Sequence, residues 1–338
     1  MARPLPRGIY TPLPTFFHDD EELDLEAFHA HVKYTAEAGT FPVTAGSAGE
    51  AAHLTHDERI ALIKTARAAL DSSNLTHFPI IAGAGAASTR ESIILAKQAA
   101  AAGADFVMVI PPGYYASTLV ANRASLIDFF VDIAEASPVP IIVYNFPGVS
   151  GGIDLDSDMV VEIVKRSPNV AGAKLTCASV GKITRITAAV DDPAFQVKYP
   201  RKWDVGKDGA SAYFQVIDGY IDILLPSIAS GAAGAISGLP NFAPRVCVKL
   251  WELASSGSAP SSDEYREARR LQNLIAQTDG FAQKIGFSGT KFLLNQQFGY
   301  SKMLRRPLVP TPETKTKEIL ENEWYLAIMA EEKKLVSS

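Results

Sequence analysis

Cysteine is scarce: Cys177 and Cys247 are the only two in 338 residues. Their spacing makes neither a metal-binding pair nor a disulfide framework, and such sparse use fits a reducing compartment. Basic clusters are missing too, and the net charge is −5. Nucleic acid and anionic membrane surfaces attract proteins through concentrated positive charge, so neither is expected as a partner. No apolar stretch is long enough to span a bilayer, and the opening Met1-Ala2-Arg3-Pro4-Leu5-Pro6-Arg7 has no apolar core of signal-peptide length. A cytoplasmic address and small-molecule chemistry are the expectations that survive these absences.

What the chain does have is core-forming capacity, with 47% hydrophobic and 20% charged residues, and a repeated alternation of elements. Eight short apolar segments read as strands: Gly8–Thr15, Phe41–Ala45, Pro79–Ala82, Asp105–Ile110, Pro140–Asn145, Val170–Leu175, Phe214–Ile217 and Gly234–Ser237. Amphipathic helices fit between them at Leu25–Ala38, Asp57–Leu70, Thr89–Ala102, Leu119–Glu135, Ser157–Arg166, Ser179–Val190 and Tyr220–Ala229. Strict alternation implies a parallel sheet with right-handed crossovers, and eight units predict a closed (β/α)8 barrel of the TIM type over residues 1–239. Helical patterns at Ala243–Ala254, Asp263–Gln277 and Thr290–Gln297 predict a C-terminal helical extension over 240–338. The polar stretch Lys198–Ser211 breaks the rhythm and reads as a surface loop, with a lid at the barrel mouth as the alternative.

In such a barrel the carboxyl ends of the strands carry the chemistry. The run Val170-Ala171-Gly172-Ala173-Lys174-Leu175-Thr176 ends a buried strand pattern with an amine. Desolvation favours the neutral form of an amine, and a neutral amine attacks ketones, so Lys174 is a candidate Schiff-base nucleophile. Taken alone, a strand-end lysine reaching water along its stem is the commoner arrangement. Gly46-Ser47-Ala48-Gly49-Glu50 offers backbone amides and a hydroxyl that suit a carboxylate, and it lacks the lysine of a phosphate loop. Tyr144 and the pair Tyr114-Tyr115 follow strands, where a phenol both donates and accepts protons, although a lone aromatic more often packs a core.

Two other signals compete. Gly83-Ala84-Gly85-Ala86-Ala87-Ser88 lacks the last glycine of a dinucleotide fingerprint and lies in the third unit, so no such cofactor is expected. His53 and His56, near Glu50 and Asp57, stand where a helix begins, and capping suits them better than a metal.

Taken in order, these motifs resemble the dihydrodipicolinate synthase and N-acetylneuraminate lyase superfamily of class I, Schiff-base aldolases. Gly46-Ser47-Ala48-Gly49-Glu50 is similar to the family's G-[ST]-[ST]-G-E loop, and Pro79 to Gly85 to its third strand. Pro112-Gly113-Tyr114-Tyr115 resembles the tyrosine turn, and Tyr144-Asn145-Phe146-Pro147 and Gly172-Ala173-Lys174 the Y-N-x-P and G-x-K segments. Ile236-Ser237 with Asn241-Phe242-Ala243-Pro244 resembles the eighth-strand motif, and Leu304 to Pro310 is a weaker echo. The resemblance implies that Lys174 forms an imine with pyruvate, that Tyr144 moves protons, and that Ser47 and Tyr115 complete a relay, Tyr115 reaching in from a neighbouring subunit. Tyr114 is the other candidate for that place. The substrate would lie against Ala48, Gly49, Val149, Ile236 and Ser237. A homotetramer, built as a dimer of dimers, with no metal and no cofactor, is also implied.

Where the family's dihydrodipicolinate synthases carry an arginine for a second carboxylate, this chain has Val149. An isopropyl group cannot replace a guanidinium fork. The small run Gly148-Val149-Ser150-Gly151 resembles instead the lyases that cleave 2-keto-3-deoxy sugar acids or 4-hydroxy-2-oxoglutarate, and of these the sugar acid, giving pyruvate and an aldehyde such as glyceraldehyde, is the expected substrate. The alternative is 4-hydroxy-2-oxoglutarate, whose extra carboxylate would call on Arg201 or Lys202; dihydrodipicolinate synthesis ranks below both. Ala48 also departs from the family's second hydroxyl residue. Asp218, Tyr220 and Asp222 are candidates to touch a polyol tail. A metal-dependent aldolase or hydrolase and an inert sugar-acid binding protein are the readings from other classes.

Overall fold

The structure, a computed structural model, describes Arg3, residues 5–202 and residues 213–336. Its eight strands are β1 (Gly8–Pro12), β2 (Phe41–Thr44), β3 (Ile81–Gly83), β4 (Phe106–Val109), β5 (Ile141–Asn145), β6 (Val170–Leu175), β7 (Gln215–Asp218) and β8 (Gly234–Ile236). They close into a barrel in chain order. The helices between them are α1 (Leu25–Glu37), α2 (His56–Ser72), α3 (Thr89–Ala102), α4 (Ala116–Val120), α5 (Arg123–Ala136), α6 (Ser157–Arg166), α7 (Val180–Val190), α8 (Pro193–Lys198) and α9 (Leu224–Ala229). The C-terminal helices are α10 (Pro244–Ser255), α11 (Asp263–Phe298), α12 (Glu313–Leu320) and α13 (Glu323–Val336). No helix among the described residues is long and apolar enough to cross a membrane.

Several elements depart from expectation for local reasons. The helix expected over Leu119–Glu135 is two, because the Asn122 side chain accepts from the Ser125 N–H at 3.1 Å and starts α5 afresh. Asp192 followed by Pro193 nucleates α8 by the same capping logic. The two helices expected at Asp263–Gln277 and Thr290–Gln297 form one span, α11, interrupted by non-helical Gly286. At the start of α2 the capping box is made by Thr55 and Glu58, and not by His53 or His56.

The described residues group into two compact units, one drawn from Pro79–Tyr220 and Pro226–Ala235 with the N-terminal segment, the other from Gly8–Phe78, Ile221–Leu225 and Ile236 onward. In the first, β6 is buried along its whole length. A Cβ on Gly172 would lie 2.4 Å from the Gln215 carbonyl oxygen, so only glycine lets β7 approach there. The β5–β6 ladder slips by one residue between Ile141 and Ile142, leaving Ala171 unopposed. That bulge sets Tyr144 opposite Lys174; a regular ladder would have placed Asn145 there and turned the pair apart.

In the second unit, α10 packs on β1, α11 and α13. The buried Glu332 carboxylate of α13 accepts from the Arg245 and Val246 N–H groups, so it caps α10 and complements its dipole. His31 of α1 is fully buried against Asn241 at 2.9 Å, and burial lowers its pKa to about 4. An unfolded histidine takes up its proton near pH 6.5, so stability is full above that pH and falls as the pH drops from 6.5 towards 4. We expect a loss of roughly 3 kcal/mol across that window, read as a falling urea midpoint that His31→Gln flattens.

Candidate active site

The first unit holds the amine. Three lysines are buried among the described residues: Lys174, Lys182 and Lys291. Lys182 Nζ lies 2.5 Å from the Asp154 carboxylate and Lys291 Nζ 2.5 Å from the Glu50 carboxylate. An amine engaged by a carboxylate at that distance is poorly placed for nucleophilic attack. Lys174, 5% exposed, pairs with no carboxylate among the described residues; its Nζ sits 4.2 Å from the centroid of the Tyr144 ring. Cys177, the half-buried thiol nearby in sequence, is pushed up by burial and is correspondingly less available as a thiolate.

The neighbours of this pair fix the strand ends. Asn145 donates to Asp154 at 2.7 Å and accepts from the Leu155 N–H at 2.9 Å, pinning the loop after β5. Thr176 continues the ladder through its N–H to the Asn145 carbonyl, and by strand alternation it points to the side that Lys174 occupies. Its hydroxyl is buried without a partner, and Gly219 approaches so closely that a Cβ would meet that oxygen at 2.0 Å. Sequence reasoning did not single out Thr176; its position two residues beyond a strand-end lysine was the available signal.

Tyr114 and Tyr115 meet edge to face with centroids 5.0 Å apart, and they are 85% and 63% exposed in the single chain. Their turn interlocks with the loop after β5: a Cβ on Gly113 would lie 2.8 Å from the Ser150 carbonyl carbon, and one on Gly151 would lie 2.6 Å from the Ala116 Cβ. Ser150 is buried with its hydroxyl on the Phe146 carbonyl at 2.8 Å, whereas Val149 stands 48% exposed on the short helical turn Pro147–Val149.

Arg201 is corrected by its position. Its guanidinium donates to the carbonyls of Val164, Ser167, Val170 and Tyr199 and stacks 4.7 Å from the Tyr213 ring. Val170 begins β6 and Lys174 lies near its end, roughly 13 Å along the strand. Arg201 thus serves the amino-terminal end of the strand, away from the amine, and Lys202 donates its N–H to the Pro168 carbonyl at that same end. The described part of the insertion is a surface brace there and not a lid; residues 203–211 lie outside the described residues. Asp218 is corrected too, since its carboxylate accepts from the Ser227 hydroxyl and the Tyr220 N–H and so shapes the turn after β7. Tyr220 and Asp222 are half-buried, and Asp222 keeps one buried oxygen without a partner while burial pushes its carboxyl up.

The second unit holds the Gly46–Glu50 loop. Gly49 and Glu50 donate their N–H groups within the loop, to the Gly46 and Ser47 carbonyls at 3.1 and 3.2 Å. The Ser47 and Ala48 N–H groups and the Ser47 hydroxyl make no hydrogen bond among the described residues, and both residues are partly exposed. Two adjacent unspent amides are free to donate to an anion. Gly49 is structural: its carbonyl accepts from the Thr15 hydroxyl at 2.7 Å and a Cβ there would lie 2.9 Å from the Leu13 carbonyl oxygen. Ile236 and Ser237 are buried at the end of β8, with the Ser237 hydroxyl 3.5 Å from Asp279.

The model of the dihydrodipicolinate synthetase family matches residues 5–197. A protein of Emericella nidulans named "Probable 4-hydroxy-2-oxoglutarate aldolase, mitochondrial" is 40% identical over 91% of this chain and 90% of its own length. The L-threo-3-deoxy-hexylosonate aldolase of Hypocrea jecorina is 38% identical over 91% of this chain and 92% of its own. The crystal structure of a dihydrodipicolinate synthase family protein from Coccidioides immitis superposes with a TM-score of 0.81 at 33% identity, covering 98% of this chain and 99% of that one.

Proposed function

Because the chain belongs to the dihydrodipicolinate synthetase family and is a lyase of the aldolase kind, we propose that it reversibly cleaves a six-carbon 2-keto-3-deoxy sugar acid to pyruvate and glyceraldehyde through an imine on Lys174. The observation that carries this reading is the buried Lys174 amine, paired with no carboxylate among the described residues and 4.2 Å from the Tyr144 ring centroid, when the other two buried lysines described are held by carboxylates. Nζ adds to C2 of the 2-oxo acid, and loss of water gives the protonated imine. The C3–C4 bond then breaks, its electron pair flows into the imine to form an enamine, and Tyr144 takes the proton of the C4 hydroxyl as the aldehyde departs. Protonation at C3 and hydrolysis release pyruvate and restore the amine.

The Ser47 and Ala48 amides suit the carboxylate of the 2-oxo acid, with Ser47 and Tyr115 as proton relay partners. Tyr115, rather than Tyr114, is the relay member we favour, since it is the less exposed of the edge-to-face pair and caps the start of α4. In this reading the exposed Tyr115 phenol enters the site of a neighbouring copy, and a homotetramer is part of the proposal, which sedimentation velocity tests. The unpartnered Thr176 hydroxyl suits a hydroxyl of the polyol tail. We also propose cytoplasmic residence, in keeping with two free cysteines; the Emericella relative is named mitochondrial, and organelle fractionation separates the two addresses.

Specificity follows from Val149. A distal carboxylate entering beside it loses charge-assisted hydrogen bonds worth about 1.5–3 kcal/mol, roughly ten- to a hundredfold in affinity. A neutral polyol loses nothing. Comparing kcat/KM should therefore rank the 2-keto-3-deoxy sugar acid first and aspartate semialdehyde condensation last. The second reading, 4-hydroxy-2-oxoglutarate, is favoured by the 40% identical relative's name and weakened by Arg201 lying at the wrong end of β6. A preference for aspartate semialdehyde would overturn the reading of Val149.

A further inference from the structure

The loop that presents the Ser47 and Ala48 amides ends in a carboxylate that the mechanism does not use. Glu50 has a side chain with no exposure, and its backbone is in the left-handed region at φ 54, as is Ala45 at φ 48 on the loop's other side. A non-glycine residue holds that conformation only when its surroundings over-determine it. The surroundings come from far along the chain. Lys291 of α11 places Nζ 2.5 Å from Glu50 Oε1 and also donates to the Met303 carbonyl at 2.7 Å, while the Arg305 N–H donates to Glu50 Oε2 at 3.1 Å. Lys291 and Arg305 sit 4.6 and 4.5 Å from the Phe17 ring centroid, and the Arg305 guanidinium reaches Glu58, the Glu21 carbonyl and the His53 carbonyl.

We propose that Lys291, with Arg305, is a positioning residue for substrate binding: it clamps Glu50, and through it holds the Ser47–Ala48 amides aimed at the carboxylate of the 2-oxo acid. The proposal rests on the reading of those amides as the carboxylate cradle. A buried ion pair is weak evidence for stability, because desolvating two charges offsets most of their attraction. It fixes geometry instead, since Lys291 gains full use of its donors only when Glu50 is turned inward. Burial lowers the Lys291 pKa and Glu50 raises it, so the amine's proton depends on this partner. The clamp also gives the Leu304–Pro310 motif a function: its Arg305, with Met303 just before it, closes on the loop from outside the barrel sequence.

The test is the pyruvate concentration that half-saturates borohydride labelling of Lys174 in the full-length protein. Lys291→Met and Glu50→Gln should raise that concentration roughly ten- to a hundredfold, the scale of a small misplacement of binding groups, while labelling at saturation still reaches one group per chain. Arg305→Met, which keeps the N–H to Glu50 and removes the guanidinium contacts to Glu58 and to the Glu21 and His53 carbonyls that hold that N–H in place, should shift it in the same direction by less. If Lys291→Met does not fold, Glu50→Gln and Arg305→Met decide. Folded variants that half-saturate at the wild-type concentration would overturn the clamp, because a merely structural role lowers the amount of active protein and leaves half-saturation unmoved. A wild-type protein that takes no label would instead overturn the imine reading, and the clamp with it.

Discussion

Replacing Lys174 with methionine leaves the barrel folded and turnover lost, on the order of 10⁴-fold or more, since no other buried amine among the described residues can take its place. The expected chemistry is direct. Wild-type protein incubated with pyruvate and borohydride gains one pyruvate-derived group, peptide mapping finds it on Lys174, and Lys174→Met gains none. Lys182 and Lys291 cannot substitute, being held by Asp154 and Glu50 at 2.5 Å. Methionine keeps most of the side-chain volume in a strand buried throughout, and no carboxylate among the described residues is orphaned by the change. Labelling that survives the substitution would place the covalent chemistry elsewhere.

Tyr144→Phe comes second, with an expected loss of about 10²–10⁴-fold in kcat and little change in KM. The Tyr144 ring is buried and Lys174 lies over its face, so phenylalanine preserves both packing and the cation–π contact. The hydroxyl makes no hydrogen bond among the described residues, so its removal orphans no partner, and the thermal midpoint should move little. A kinetic loss without a stability loss is then the signature of proton transfer. Near wild-type kcat would remove Tyr144 from the mechanism.

The barrel was legible because its code is local: apolar runs alternating with amphipathic helices, with caps and glycines at predictable points. Lys174 and Tyr144 were legible for the same reason, each standing at the end of a strand pattern. Their mutual register was not. Two sequences written side by side do not show that Ala171 bulges out of the ladder, yet that one residue decides whether Tyr144 or Asn145 faces the amine. Long-range pairing was hidden in the same way, for Glu50 and Lys291 are 241 positions apart and neither pattern names the other. Arg201 misled because an arginine in a polar insertion looks available, whereas four backbone carbonyls consume it. Helices α12 and α13 went unread because their starts depend on Pro312 and on the Asn322 side chain rather than on a strong periodic pattern.

The interlocked turns at Gly113 and Gly151 bear on how such a scaffold diversifies. Each glycine is held by contact with the other loop, and Ser150 between them is buried and hydrogen-bonded, so three of these positions are closed to variation. Val149 is open, with about half of its surface in solvent. A mutational library over these four positions would therefore concentrate its folded members at Val149, and, on the proposed reading of Val149, descendants of this chain would shift their substrate preference there without first rebuilding the loops around it.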